Sequence, residues 1–260
     1  MVKAKKHLGQ HFLIGPGIAD RIAQSITCHN GCNAVLEVGP GTGALTLPLL
    51  ERGDLDIHVV ELDTESVDFL VTEELLPSER VHGVDLLTWN PDMAFPNNKP
   101  FIVAGNFPYN ISSQILFQVI DWRDRVPELV GMFQKEVAQR IAEGPGSRTY
   151  GILSVLLQTY YDIEYLFTVD EDAFDPPPRV KSGVIRLLRN DMIDPGCSFL
   201  HLKRVVKGAF NQRRKTLRNA LTSAGFAEEI IPKEFLKKRA EQLSPKEFHI
   251  LAIALIPTSS

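Results

Sequence analysis

Ala34-Val35-Leu36-Glu37-Val38-Gly39-Pro40-Gly41-Thr42-Gly43 is the stretch whose reading settles the architecture. The apolar β-type run Ala34-Val35-Leu36 passes directly into a glycine-rich turn. Ala44 to Leu50 follows with helical character, Pro48 falling near the first turn. Glycines at a strand-to-helix turn let the backbone approach a ligand closely. The pattern here is Gly-x-Gly-x-Gly, which is not the Gly-x-Gly-x-x-Gly of a dinucleotide pyrophosphate site. No lysine stands in or just after the turn, so it does not read as a P-loop either.

Working outward, a second strand, Ile57-His58-Val59-Val60, ends in Glu61, about 20 residues past the glycines. At that spacing an acidic side chain meets ribose hydroxyls, a charge-assisted contact of ~1.5–3 kcal/mol. A third strand, Val81-His82-Gly83-Val84, ends in Asp85, which places another carboxylate on the same sheet edge. A ligand without phosphate, needing close backbone packing, a carboxylate for its ribose and a polar partner for its adenine, matches this set. S-adenosylmethionine is such a ligand. A fourth apolar run, Phe101-Ile102-Val103-Ala104, opens into Asn106-Phe107-Pro108-Tyr109. In open α/β sheets, ligands bind at such strand ends. The Asn106 side-chain oxygen can accept a hydrogen bond from an exocyclic amine. Pro108 has no N–H and fixes the turn, so backbone carbonyls there can face a substrate. Tyr109 offers a face for a flat heterocycle, worth ~1–3 kcal/mol per stacked base in nucleic-acid complexes.

The net charge of the 260 residues is -4, which argues against a nucleic-acid partner until the charges are placed. Gly53 to Asn98 holds eleven acids and one base, Arg80, whereas His201 to Arg218 holds seven Lys or Arg and no acid. The first nineteen residues carry Lys3, Lys5 and Lys6 and again no acid. A basic arm and a basic stripe of this kind neutralise phosphates. The expected RNA contacts are Lys5, Lys6, Arg213, Arg214, Lys215 and Arg218.

The motifs named so far, joined by Leu8-Gly9-Gln10-His11-Phe12-Leu13, Gln134-Lys135-Glu136-Val137, Phe174 to Ser182 and Ala209 to Arg218, stand in the order found in one family. The chain resembles the ribosomal RNA adenine N6-dimethyltransferases, specifically their bacterial small-subunit 16S branch. That resemblance implies an α/β fold, a Rossmann-like class I S-adenosylmethionine-dependent methyltransferase domain with a small all-α C-terminal domain. It implies dimethylation of two adjacent adenosines in the loop of the 3′-terminal hairpin of 16S rRNA, within the small ribosomal subunit and connected with its biogenesis. By the same resemblance His11, Leu13, Gly39, Gly41, Gly43, Glu61, Leu62, Asp85, Leu86 and Asn106 hold the cofactor. Asn106, Pro108, Tyr109 and Phe174 carry the chemistry, Tyr109 and Phe174 sandwiching the base. His11 departs from the family, where many relatives have Asn. Phe107 replaces a common Leu or Ile and should only pack. Adenine N6 is a poor nucleophile because its lone pair is delocalised. Acceptors at the Asn106 side chain and the Pro108 carbonyl would hold both N–H bonds and localise it, and a duplex adenine must first be flipped out.

Apolar strand runs alternate with helical patterns up to about residue 190, and the remainder reads helical, with Asp194-Pro195-Gly196 as punctuation and Ser244-Pro245 opening a last helix. The expected domains are therefore 1–190, catalytic and carrying the basic arm, and 191–260, helical and rRNA-binding. Leu129 to Phe133 reads as a fifth strand, with two late strands over Tyr160 to Val169 and Val184 to Leu188. Cys28, Cys32 and Cys197 fit a reducing compartment, and Cys28-His29-Asn30-Gly31-Cys32 lacks the second ligand pair a zinc site requires. No metal is expected. No run approaches the ~18 apolar residues of a membrane span, and the basic start lacks a signal-peptide core. A cytoplasmic monomer is expected. Two rival functions stand beside this one: an antibiotic-resistance methyltransferase acting on large-subunit rRNA, and a non-catalytic ribosome-assembly factor. The Phe210 to Arg218 run and the Pro176-Pro177-Pro178 loop argue against the first. The intact Gly39, Glu61, Asp85, Asn106 and Tyr109 argue against the second.

Overall fold

The computed structural model describes residues 2–191 and 196–256, so Asp194 and Pro195 of the expected break lie outside the described residues. Two compact units emerge: Met1–Ala138 with Ile163–Arg189, and Gln139–Asp162 with Asn190–Ser260.

The first unit is built on a seven-stranded sheet. Its strands are β2 (Ala34–Val38), β3 (Asp56–Val60), β4 (Val81–His82), β5 (Ile102–Asn106), β6 (Glu128–Gln134), β7 (Tyr161–Val169) and β9 (Ser182–Arg189). They lie in the order β4-β3-β2-β5-β6-β9-β7. The first five run parallel, and β9 inserts antiparallel beside β6, pairing Glu128 with Leu188 and Gln134 with Ser182. Every residue of β2 is buried, as expected of a central parallel strand covered on both faces. Between β2 and β5 the strand order changes direction. The glycine turn follows β2 and Asn106–Tyr109 follows β5, so both land at the switch point where such sheets bind ligands. The third strand stops at His82. The Val84 N–H turns back to the His82 carbonyl at 3.0 Å, which leaves Asp85 in the loop beyond.

Shorter elements complete the site. Strand β1 (Phe12–Leu13) pairs antiparallel with β8 (Phe174–Asp175), Phe12 opposite Asp175 and Leu13 opposite Phe174. Helix α1 is Ile18–Gln24, α2 is Thr46–Glu51 with Pro48 in its first turn, and α3 is Thr64–Thr72, capped by the Asp63 carboxylate on the Glu65 N–H. Helix α4 is Ser112–Asp121, and α5, Lys135–Ala142, leads out of β6. Phe107 packs as expected, its ring 4.8 Å from that of Phe133. It fills the trough left by Gly105 and Gly131, which face each other across β5 and β6. A methyl group at 131 would lie 2.0 Å from the ring.

The second unit contains α6 (Ile152–Tyr160), α7 (Phe199–Asn211), α8 (Leu217–Ser223) and α9 (Pro245–Ala254). Helix α9 opens on Ser244, whose hydroxyl takes the Glu247 N–H while the Glu247 carboxylate returns to the Ser244 N–H. The stripe Leu202, Val205 and Val206 of α7 is buried, and α7 packs on α6, α8 and α9. Residues 139–162 thus sit with the C-terminal helices, whereas their place in the sequence, between two strands, had put them in the catalytic domain. The cause is the composition of α6. Leu153, Val155, Leu156, Leu157 and Tyr160 are all buried, and a helix apolar all round needs neighbours on more than one side. Among the described residues no helix is long and apolar enough to cross a membrane.

Candidate active site

A cleft of about 1050 Å³, its open mouth included, lies within the first unit at the ends of β2, β3 and β5. Its walls include His11, Leu13, Glu37, Gly39, Gly41, Glu61, Leu62, Asp85, Leu86, Asn106, Phe107, Pro108 and Tyr109. Among the described residues no lysine or arginine lines it, while three acidic side chains do, of which Glu37 is held neutral by burial. The Glu61 and Asp85 carboxylates repel phosphate and suit a cation such as a sulfonium.

The glycine turn is held in place from both sides. Gly41 has φ +57°, and a methyl group there would sit 2.9 Å from the Phe12 ring, so Phe12 packs directly on the turn. The Gly41 N–H donates to Glu61 Oε2 at 3.1 Å, and the Asp63 N–H donates to Glu61 Oε1 at 2.9 Å. A carboxylate oxygen accepts more than one hydrogen bond, so Glu61 can also take the hydroxyls of a ribose diol. Burial pushes the Glu61 carboxyl up, against the pull of those two N–H groups and that of Leu62. Asp85 accepts the Leu87 N–H on Oδ1 at 2.9 Å and keeps Oδ2 for another donor. Leu62, 54% exposed, and Leu86 add apolar surface to the wall. These residues fit an adenosine-bearing cation. Gly43 does not belong with them. It is absent from the cleft wall, and its φ of +81° and lack of Cβ make room for Leu75, which a methyl group would meet at 2.7 Å.

Sequence reasoning passed over Glu37 as a site residue. It is 1% exposed, accepts the Thr46 hydroxyl on Oε2 at 2.7 Å and lines the cleft. Burial above all pushes its carboxyl up to about 8. The signal was present in the sequence, since an acid inside a strand otherwise apolar needs a reason.

At the acceptor end, the Asn106 amide nitrogen donates to the His11 carbonyl at 2.9 Å. A carbonyl only accepts, so the amide orientation is fixed, and among the described residues nothing donates to Oδ1, which is left as an acceptor. Pro108 differs from expectation. Its carbonyl takes the Ser112 hydroxyl at 3.1 Å and the Ile111 N–H at 3.3 Å, because the 3₁₀ turn Tyr109–Ile111 closes onto it. Phe107 also lines the cleft, and among the described residues nothing donates to its carbonyl. The Tyr109 hydroxyl meets the buried Ser182 hydroxyl at 2.5 Å, and burial pushes the phenol up, keeping it neutral. Phe174 also differs: it is 2% exposed, lies in the core beside Leu13 and is absent from the cleft wall. Its pairing opposite Leu13 in the short β1–β8 ladder holds it there.

The basic residues divide. Lys5 is committed to an ion pair with Asp63, with Glu65 at 3.3 Å. Burial pushes Asp63 up, but Lys5 and Gln10 together outweigh it and hold the carboxyl low. Arg213 donates to the carbonyls of Arg148 at 2.6 Å and Tyr150 at 2.8 Å, and Arg218 pairs with Glu228 at 2.8 Å. Lys6, Arg214 and Lys215 are exposed and make no ion pair among the described residues. Among the described residues Cys28, Cys32 and Cys197 form no disulfide, and no group of three His, Cys, Asp or Glu side chains is placed to hold a metal ion.

Two solved structures share this fold: a dimethyladenosine transferase from Plasmodium falciparum and the 23S rRNA methyltransferase ErmE. The first has a TM-score of 0.76 and 24% identity, covering 93% of this chain and 96% of that one. The second has a TM-score of 0.67 and 22% identity, covering 94% and 99%. At such identities the likeness establishes the fold, a Rossmann-like class I methyltransferase, and does not choose between substrates. The sequences go further. Ribosomal RNA small subunit methyltransferase A from Cytophaga hutchinsonii is 51% identical, with 95% of each chain covered. The protein of the same name from Porphyromonas gingivalis is 51% identical, with 98% of each covered. The family model described as ribosomal RNA adenine dimethylase matches residues 1–255, so the chain belongs to the ribosomal RNA adenine dimethylase family.

Proposed function

We propose that this protein transfers methyl groups from S-adenosylmethionine to N6 of two adjacent adenosines in the loop of the 3′-terminal hairpin of 16S rRNA, making N6,N6-dimethyladenosine at both as the small subunit matures. The observation that carries the reading is the pinned Asn106 amide, whose free Oδ1 stands beside Tyr109 in the same cleft as the glycine turn and Glu61. The name shared by the half-identical relatives supports the small subunit as the substrate.

When bound, S-adenosylmethionine supplies a methyl group on a positively charged sulfur. Glu61 and Asp85 hold its ribose and adenine, and the glycine turn packs against it. Asn106 Oδ1 and the Phe107 carbonyl accept the two N–H bonds of the target amine and turn its lone pair toward the methyl. Catalysis here is positioning more than proton transfer, and the proton that the methylated nitrogen sheds passes to water. After one transfer a single N–H remains for Asn106, so the same acceptor serves the second. Tyr109 stacks on the base, which enters flipped or unpaired. The helical unit, through Arg214 and Lys215, grips rRNA phosphates along with Lys6 of the arm, and the protein works as a cytoplasmic monomer.

Purified small and large subunits from cells lacking the modification provide the test. Incubation with the cofactor followed by nucleoside mass spectrometry should give dimethyladenosine at two neighbouring positions of 16S rRNA. Transfer to large-subunit rRNA would put the resistance-type reading in its place. Cofactor binding without transfer would make the protein a non-catalytic assembly factor.

A further inference from the structure

His11 sits where the N-terminal strap crosses the acceptor end of the cleft, and it makes three separate contacts there. Its carbonyl takes the Asn106 amide at 2.9 Å. Its ring lies 5.6 Å from the Tyr109 ring at 28°, an offset stack. Its Nδ1 meets the Pro176 carbonyl at 2.7 Å, and since a carbonyl only accepts, Nδ1 carries the proton. The β1–β8 register explains the last contact. Phe12 faces Asp175, so the next pair outward is His11 with Pro176. Proline has no N–H to continue the ladder, and the imidazole takes the carbonyl instead.

With the acceptor reading as its basis, we propose that His11 is a positioning residue for the target base. Its imidazole backs one face of Tyr109, leaving the opposite face for the adenine, and the result is a continuous His11–Tyr109–adenine stack. Three observations converge on this. The Tyr109 ring is held at its edge by Ser182 and on one face by His11, so a single face stays available. Phe174, the other aromatic residue expected to sandwich the base, is buried away from the cleft. The His11 ring is engaged with Tyr109 and Pro176, both at the acceptor end. Position 11 thereby carries a ring where many relatives carry an amide.

Three variants separate the roles. His11→Ala removes the ring and the Pro176 bond but keeps the carbonyl that pins Asn106. His11→Phe restores a ring without an N–H, and His11→Asn restores an N–H donor without a ring. Each is measured for S-adenosylmethionine affinity by calorimetry and for steady-state methylation of unmethylated small subunits. The expected result for His11→Ala is cofactor affinity within about twofold of wild type and a kcat/KM for RNA about tenfold lower. His11→Phe should recover most of that loss and His11→Asn little of it. Recovery by Asn and not by Phe would make His11 a latch for the 176 loop and overturn the stack. A loss of cofactor affinity matching the loss of kcat/KM, or full activity in His11→Ala, would overturn it as well. Wild-type protein on the same subunits reports separately on the functional reading. Its inactivity there would overturn that reading and the role of His11 together.

Discussion

Replacing Glu61 by alanine tests the cofactor half of the cleft most sharply. The carboxylate does two jobs. It accepts the N–H groups of Gly41 and Asp63, one on each oxygen, and it lines the cleft. Loss of a charged acceptor for the ribose diol costs ~1.5–3 kcal/mol, which raises the Kd for S-adenosylmethionine by about 10- to 150-fold. Two backbone donors also lose their acceptor. At ~1 kcal/mol each, that lowers Tm by about 4–8 °C in a chain of this size. Asp85→Ala should cost less on both counts, because one of its oxygens holds only the Leu87 N–H of its own loop. Calorimetric titration reads the affinities and a thermal melt reads the stability. The elevated Glu61 carboxyl adds a pH signature. As pH falls through its raised value the group gains a proton and loses its charge, so affinity should weaken toward acid from a higher pH than an ordinary glutamate would give. Unchanged affinity in both variants would refute the placement of the ribose and adenine.

Asn106→Ala should hold cofactor affinity within a few fold and abolish most methyl transfer, because its oxygen acts on the target amine; equal losses in both measurements would contradict that. Tyr109→Phe should keep much of the turnover, losing only the Ser182 bond at ~1 kcal/mol, whereas Tyr109→Ala should lose most of it. If the two are equally inactive, the stacking role is wrong. Glu37 holds its proton in the folded protein up to about 8 against 4.5 when unfolded, so its contribution is fully present below the lower value and is lost as pH rises through the upper one. Glu37→Gln should therefore gain on wild type as pH rises across that window, by at most roughly 5 kcal/mol, and parallel Tm curves for the two would exclude a buried neutral carboxyl. Arg214→Ala with Lys215→Ala should leave Tm and cofactor binding alone while lowering the slope of log affinity for the subunit against log salt by about one per lost phosphate contact. Arg213→Ala should do the reverse, and an exchange of these two outcomes would overturn the division of the basic stripe.

The parts of the fold legible in the sequence are those set by short stretches of chain. A strand that ends in glycines, or in Asn-Phe-Pro-Tyr, announces itself whatever surrounds it, and Glu61 follows from spacing alone. What escaped depends on residues far apart in the chain. Nothing local to Lys5 says that its ammonium is spoken for by Asp63, and nothing local to Arg213 says that it clamps the carbonyls at 148 and 150. The engagement of the Pro108 carbonyl is hidden in the sequence because the hydroxyl that reaches it belongs to Ser112, four residues on, whose place depends on the 3₁₀ turn forming first. Gly43 looks like a third ligand glycine in the motif, yet its neighbour is Leu75. Helix α6 was misplaced for a related reason. Sequence order assigned it to the sheet domain, while its burial depends on α7 and α9, more than forty residues later.

The distribution of charge gives the substrate problem its physical form. The enzyme must admit part of an RNA, a polyanion, into a cleft whose Glu61 and Asp85 carboxylates suit a cationic cofactor and which, among the described residues, offers no lysine or arginine. A phosphodiester entering that space would meet repulsion with no compensating cation, and within a screening length of ~8–10 Å salt does little to relieve it. A neutral base meets no such penalty. On the proposed reading it gains the Tyr109 face and two acceptors for its amine. Lys6, Arg214 and Lys215, which make no ion pair among the described residues, are absent from the cleft wall and exposed, available to phosphates that stay outside. The same acidic lining that favours a sulfonium therefore selects a base extended away from its backbone, and an unpaired loop adenosine satisfies that demand at the lowest cost in unstacking.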